Sequence, residues 1–131
     1  MDRLIERELK SNWLTKFPLS SKQHAYTADK STDSALNVLS TKLNELLHIS
    51  HSSTSCAFLD IQGAFYRTSP RAVTTALGNR HVNKPIINLV NHLLTKRSTT
   101  INHEGHIVQS KVLKGCPQGG ILSPLLWNLV A

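Results

Sequence analysis

Acidic residues almost vanish from the second half of this 131-residue chain: from Leu46 onward only Asp60 and Glu104 are carboxylates. No alternative set of paired or clustered acids can be assembled from that half. Cysteine is equally sparse. Cys56 and Cys116 lie far apart with no close-spaced pair, which excludes a disulfide scaffold and a four-cysteine zinc site and reads as two reduced thiols. No apolar run approaches the roughly 20 residues needed to span a bilayer. The opening Met1-Asp2-Arg3-Leu4-Ile5-Glu6-Arg7-Glu8 carries too many charges for a secretory signal. An intracellular protein without a membrane segment is expected. Internal repeats, low-complexity tracts and linkers are absent too, so the length suits a single unit. With 40% hydrophobic and 18% charged residues, disorder is not the compositional default.

What is abundant is base. The net charge is +7, and against the two acids after Leu46 stand eight cations: Arg67, Arg71, Arg80, Lys84, Lys96, Arg97, Lys111 and Lys114. Lysine and arginine that neutralise phosphates release counterions, so this imbalance is the footprint of a polyanion binder. A solvated basic surface is the alternative that charge alone leaves open.

Leu4, Ile5, Leu9, Trp13 and Leu14 recur at helical spacing and predict an amphipathic helix over about residues 2 to 16, stopped by Pro18. The polar stretch 20–30 predicts a loop. Ser31 or Thr32 can cap a second helix running to about Ile49, with Ala35, Leu36, Leu39, Leu43, Leu46 and Leu47 as its apolar face. Cys56 to Leu59 is a short apolar run that fits a buried strand, ending on Asp60. Ser69-Pro70 opens a helix ended by Gly78, and Asn83-Lys84-Pro85 opens another, the two expected to cover the sheet. Thr99 to Asn102 and His106 to Val112 flank His103-Glu104-Gly105, a hairpin signal. His103 and His106 read as hairpin ends. His48 and His51 are spaced as metal ligands could be, but only Cys56 lies near to extend the set.

Two stretches carry chemistry. In Lys114-Gly115-Cys116-Pro117-Gln118-Gly119-Gly120-Ile121-Leu122-Ser123-Pro124, three glycines and a proline make a tight turn in which backbone can approach a ligand closely. Ser123 can cap the helix that follows, with Pro124 at its first position. A plain loop-to-helix joint is the other reading of these residues. The second stretch is Leu59-Asp60-Ile61-Gln62-Gly63-Ala64-Phe65, whose aspartate could equally be a turn residue.

The first string, continued through Leu125-Leu126-Trp127-Asn128, closely resembles box B of reverse transcriptases, specifically those of non-LTR (LINE-like) retrotransposons. The second resembles box A of the same polymerases. Gln23-His24-Ala25-Tyr26, Lys30-Ser31-Thr32 and Ala35-Leu36 resemble the segment leading from their fingers to their palm, where an arginine is usual near Lys30.

The resemblance spans nearly the whole chain and is strongest at residues 55–66 and 114–130. It implies an α+β fold: a partial polymerase palm with part of the fingers, helices packed on a small antiparallel sheet. Residues 1–50 would be the fingers and palm helices, and 51–131 the palm with boxes A and B. Nucleotidyl transfer needs two divalent cations about 4 Å apart, and the resemblance implies Mg2+ or Mn2+, an RNA template, a DNA primer and deoxynucleoside triphosphates. Asp60 would be the first catalytic, metal-binding aspartate, with the carbonyl of Ile61 as a further metal ligand. The amides of Gly63 and Ala64 would face the triphosphate. Phe65 would stand against the sugar, its alternative being a core phenylalanine. Gln118 would lie by the incoming nucleotide, where Gly119 and Gly120 let the backbone pass close to the base pair.

Tyr66 departs from the aspartate usual after Ala-Phe. The family's aromatic-x-Asp-Asp box is not among these residues, so the expectation is a fragment truncated before that box, inactive alone. A non-catalytic basic remnant that binds nucleic acid is the alternative. An open sheet edge at Cys56 to Leu59 would favour self-association.

Overall fold

The computed structural model describes residues 1–50 and 53–131; His51, considered above as a metal ligand, lies outside them. The described chain falls into two compact units, one made of Met1–Leu19 with Gly63–Ala131 and the other of Ser20–Gln62. The fold is mixed helix and a small two-stranded antiparallel sheet, which is the α+β class expected. No helix among the described residues is long and apolar enough to cross a membrane.

In the first unit, α1 (Asp2–Glu8) runs into one π turn, Leu9–Trp13. There the amide of Leu14 donates to Leu9 O at 2.9 Å, five residues back. Ile5 and Leu9 are buried, whereas Leu4 is exposed. The predicted apolar stripe is therefore narrower than its spacing suggests, and the wider π turn brings Trp13 and Leu14 back against the core. The indole N–H of Trp13 is buried there without a hydrogen-bond partner.

The predicted central helices form as α4 (Pro70–Asn79) and α5 (Lys84–Thr95), each with proline in its first turn. A single helical turn, α3 (Ala64–Arg67), precedes them, and α6 (Ser123–Val130) closes the chain. Val73, Leu77 and Val90 have no exposed surface, and they join Leu94, Leu126 and Leu129 with Ile5 and Leu9 in one core. At roughly 1.5–3 kcal/mol for each fully buried aliphatic side chain, this cluster is the unit's main source of stability.

α5 leads straight into a hairpin of β1 (Arg97–His103) and β2 (His106–Val112), in register from Arg97 opposite Val112 to His103 opposite His106. Glu104 and Gly105 both have positive φ, 50° and 83°. That is the two-residue type I′ turn whose twist matches the strands it joins. Both faces of the hairpin are exposed apart from Arg97 and Val112 at its base. The helices that were expected to cover the sheet pack on each other instead, and α4 also packs on α6.

The second unit is built on α2 (Thr32–Ser50). The amide of Ser34 donates to Ser31 Oγ at 3.1 Å and the amide of Ser31 to Ser34 Oγ at 2.9 Å, a reciprocal cap with serine in the usual glutamate place. The loop before it is clamped by Lys30, whose ammonium donates to Ser21 O and, at 2.9 Å, to Gln23 O. The apolar face of α2 is at most half-buried, with Leu36 and Leu47 exposed.

One expectation fails outright. Cys56 to Leu59 is not a strand and is not buried: Phe58 is 81% and Leu59 93% exposed. A strand needs a partner for its amides and carbonyls. Among the described residues β1 and β2 pair only with each other. An apolar run announces a buried strand only where such an edge exists.

Candidate functional site

Gly63 stands at a left-handed φ of 67° as the N-cap of α3, a conformation that glycine alone adopts without strain. It turns the chain so that Ala64 and Phe65 begin a helix at once. The ring of Phe65 packs on the core and lies 6.2 Å from that of Trp127 on α6, tilted by 45°. Thr68, just beyond α3, is buried and its hydroxyl donates to Ala64 O at 2.8 Å.

Onto this turn the glycine-rich loop is fastened. The amide of Gly115 donates to Thr68 O at 2.8 Å and that of Cys116 to Phe65 O at 2.7 Å. A Cβ at Gly115 would stand 2.7 Å from Tyr66 O, 2.9 Å from Tyr66 Cα and 3.0 Å from Phe65 O. What comes close to this glycine is the chain's own backbone. Gly119, by contrast, faces open space. The loop's far side is closed by Ser123, whose hydroxyl donates to Pro117 O at 2.6 Å. Ser123 was expected to cap α6. It is already the first helical residue, and Leu122 holds the cap position.

Two residues whose part in holding the loop the sequence did not signal complete its support. The Arg97 guanidinium donates to Leu94 O at 3.1 Å, to Lys114 O at 3.3 Å and to Gly115 O, gathering three carbonyls at the root of the hairpin. The phenol of Tyr66 donates to Gln118 Oε1. The tyrosine that departs from the box A pattern is thus tied to the glutamine of box B. Nothing in the spacing of the two residues signals this, because the link depends on how the loop folds back over α3. Burial raises the Cys116 thiol above its usual range, partly opposed by the Arg97 charge and a side-chain hydrogen bond with Thr68.

Of the residues singled out in the sequence, the first unit thus brings together Gly63, Ala64, Phe65, Gln118 and Gly119 on one α3–loop assembly. Asp60 and Ile61 lie in the second unit, both exposed. Asp60 has no hydrogen bond or ion pair among the described residues. Among the described residues no group of three or more His, Cys, Asp or Glu side chains could hold a metal ion. Asp60 offers a single carboxylate, and the donor set does not amount to a two-metal centre.

A family model described as reverse transcriptase (RNA-dependent DNA polymerase) matches residues 1–131. No curated protein and no solved structure matches the chain.

Proposed function

The chain belongs to the reverse transcriptase (RNA-dependent DNA polymerase) family, and on that premise we propose that it is the box A and box B portion of the palm, with part of the fingers, of a polymerase from a non-LTR retrotransposon. Membership implies a nucleic-acid template and nucleotide substrates. The finer assignment is an RNA template, a DNA primer and deoxynucleoside triphosphates, met inside the cell.

The observation that carries the reading is the joint between the two boxes. Gly115 and Cys116 are hydrogen-bonded to Thr68 and Phe65 where only a glycine fits, so the tail of box A and the head of box B form one rigid corner. On that corner the amides of Gly63 and Ala64 are assigned to the triphosphate, Phe65 to the sugar, and Gln118 with Gly119 to the incoming nucleotide. Asp60, with the carbonyl of Ile61, is the contribution of these residues to the divalent-metal site of a complete domain.

The test is equilibrium binding of a fluorescent deoxynucleoside triphosphate to the purified chain with an RNA template, a DNA primer and Mg2+. Gln118 is exposed, so Gln118→Ala should leave the fold intact. It should weaken nucleotide binding at least about tenfold, the worth of one hydrogen bond to a charged group. Unchanged affinity would sink the assignment. The same mixture should show no primer extension, since one carboxylate does not hold two metals; extension abolished by Asp60→Ala would contradict that.

A further inference from the structure

At the root of the hairpin, where β1 leaves α5 and β2 returns toward the glycine-rich loop, lies a cleft of about 660 Å³. We propose that it binds phosphates of a nucleic-acid backbone, a reading that rests on the polymerase assignment above.

The charged side chains that line it are Lys96, Arg97 and Lys111, with no carboxylate among them. Arg97 is spent on the three carbonyls described above, although its charge remains. Lys96 and Lys111 are exposed and make no hydrogen bond or ion pair among the described residues, so their ammonium groups are available to a ligand. Lys111 is directly opposite Ser98 in the ladder, which puts both on the same face. Ser98 Oγ accepts a hydrogen bond from Gln109 Nε2 at 3.2 Å. That contact uses an oxygen lone pair and leaves the hydroxyl proton to donate. The cleft therefore offers two free ammonium groups and an oriented hydroxyl, a donor set that fits anionic oxygens.

Glu104 sits in the turn at the opposite end of the ladder, roughly 20 Å away at strand rise. This exceeds a screening length of about 8 Å at physiological salt, so Glu104 does not neutralise the cleft. Asp2 lines a separate, smaller cavity together with Arg97. The shape favours a polymer over a small anion. The hairpin stands out with both faces exposed, giving an open track that an extended backbone can follow and no enclosure for a free phosphate.

The experiment compares the full chain, Lys96→Ala/Lys111→Ala, and a matched-charge control, Lys16→Ala/Lys22→Ala, whose exposed lysines lie outside the cleft. Affinity for a DNA duplex of arbitrary sequence is measured at several salt concentrations. Each phosphate contact contributes about 0.9 to the slope of log affinity against log salt. Loss of Lys96 and Lys111 should therefore flatten the slope by about 1.8, and the control should leave it near the unaltered value. Equal slopes for the two double variants would overturn the cleft assignment while leaving the polymerase reading in place. No binding by the unaltered chain at any salt would overturn both.

Discussion

Gly115 and Gly119 share one loop and nearly one backbone conformation, φ 83° and 80°. Alanine at either pays the left-handed penalty of about 1–2 kcal/mol. Their surroundings differ. At Gly119 a new methyl group meets no heavy atom within 4 Å, while at Gly115 it would lie 2.7, 2.9 and 3.0 Å from Tyr66 O, Tyr66 Cα and Phe65 O. All three are backbone atoms and cannot swing aside. The opposing turn must retreat, loosening the bonds from Gly115 to Thr68 and from Cys116 to Phe65, each worth about 0.5–1.5 kcal/mol. Gly119→Ala should therefore cost about 1–2 kcal/mol and Gly115→Ala about 2–5 kcal/mol. Urea unfolding followed by far-ultraviolet circular dichroism measures both, with the slope of the transition checked for constancy. If the two variants are equally destabilised, the two boxes are not pressed together at Gly115 and the corner they form is not rigid.

Three further outcomes follow from the same geometry. Tyr66→Phe should release the Gln118 amide, seen by nuclear magnetic resonance as lower order of its side-chain NH2 group; unchanged order would mean that the phenol does not hold it. Because the folded chain keeps the Cys116 thiol protonated beyond its usual range, this group's stabilisation is complete below the ordinary thiol pKa. It is lost as pH rises through the elevated value. Thermal unfolding should show an alkaline decline that Cys116→Ala reduces, and exposed Cys56 should react with a thiol reagent well before Cys116. Finally, amides of residues 56–61 should exchange with solvent almost without protection; strong protection in a monomer would show a ladder that the described residues do not contain.

The helices were legible because apolar spacing and proline punctuation are local signals. Ser69-Pro70 and Asn83-Lys84-Pro85 mark the starts of α4 and α5, and Gly105 marks the hairpin turn. The strand at Cys56 to Leu59 was misread because apolar content says nothing about whether a pairing edge is at hand. Gly115 was half legible: its glycine announced a close approach, but what approaches is Phe65 and Tyr66, brought there by tertiary folding. Arg97 stood out only as one of eight cations and Tyr66 only as a departure from the box A pattern; neither gave a sign of supporting the loop. An arginine entering a strand and a tyrosine on a one-turn helix become loop supports only once the chain folds the loop between them, and no period or spacing records that.

The core that unites Ile5 and Leu9 with Val73, Leu77 and Val90 is assembled from two separate stretches of chain, with Ser20–Gln62 intervening. In polymer terms, docking α1 closes a ring whose entropic cost grows only logarithmically with its contour, so doubling the intervening segment would add about 0.6 kcal/mol. The core is thus sensitive to a methyl group at Gly115 and tolerant of long insertions between Leu19 and Gly63. A chain cut within that segment should still associate through the same apolar contacts, at a strength set by the concentration of its two pieces.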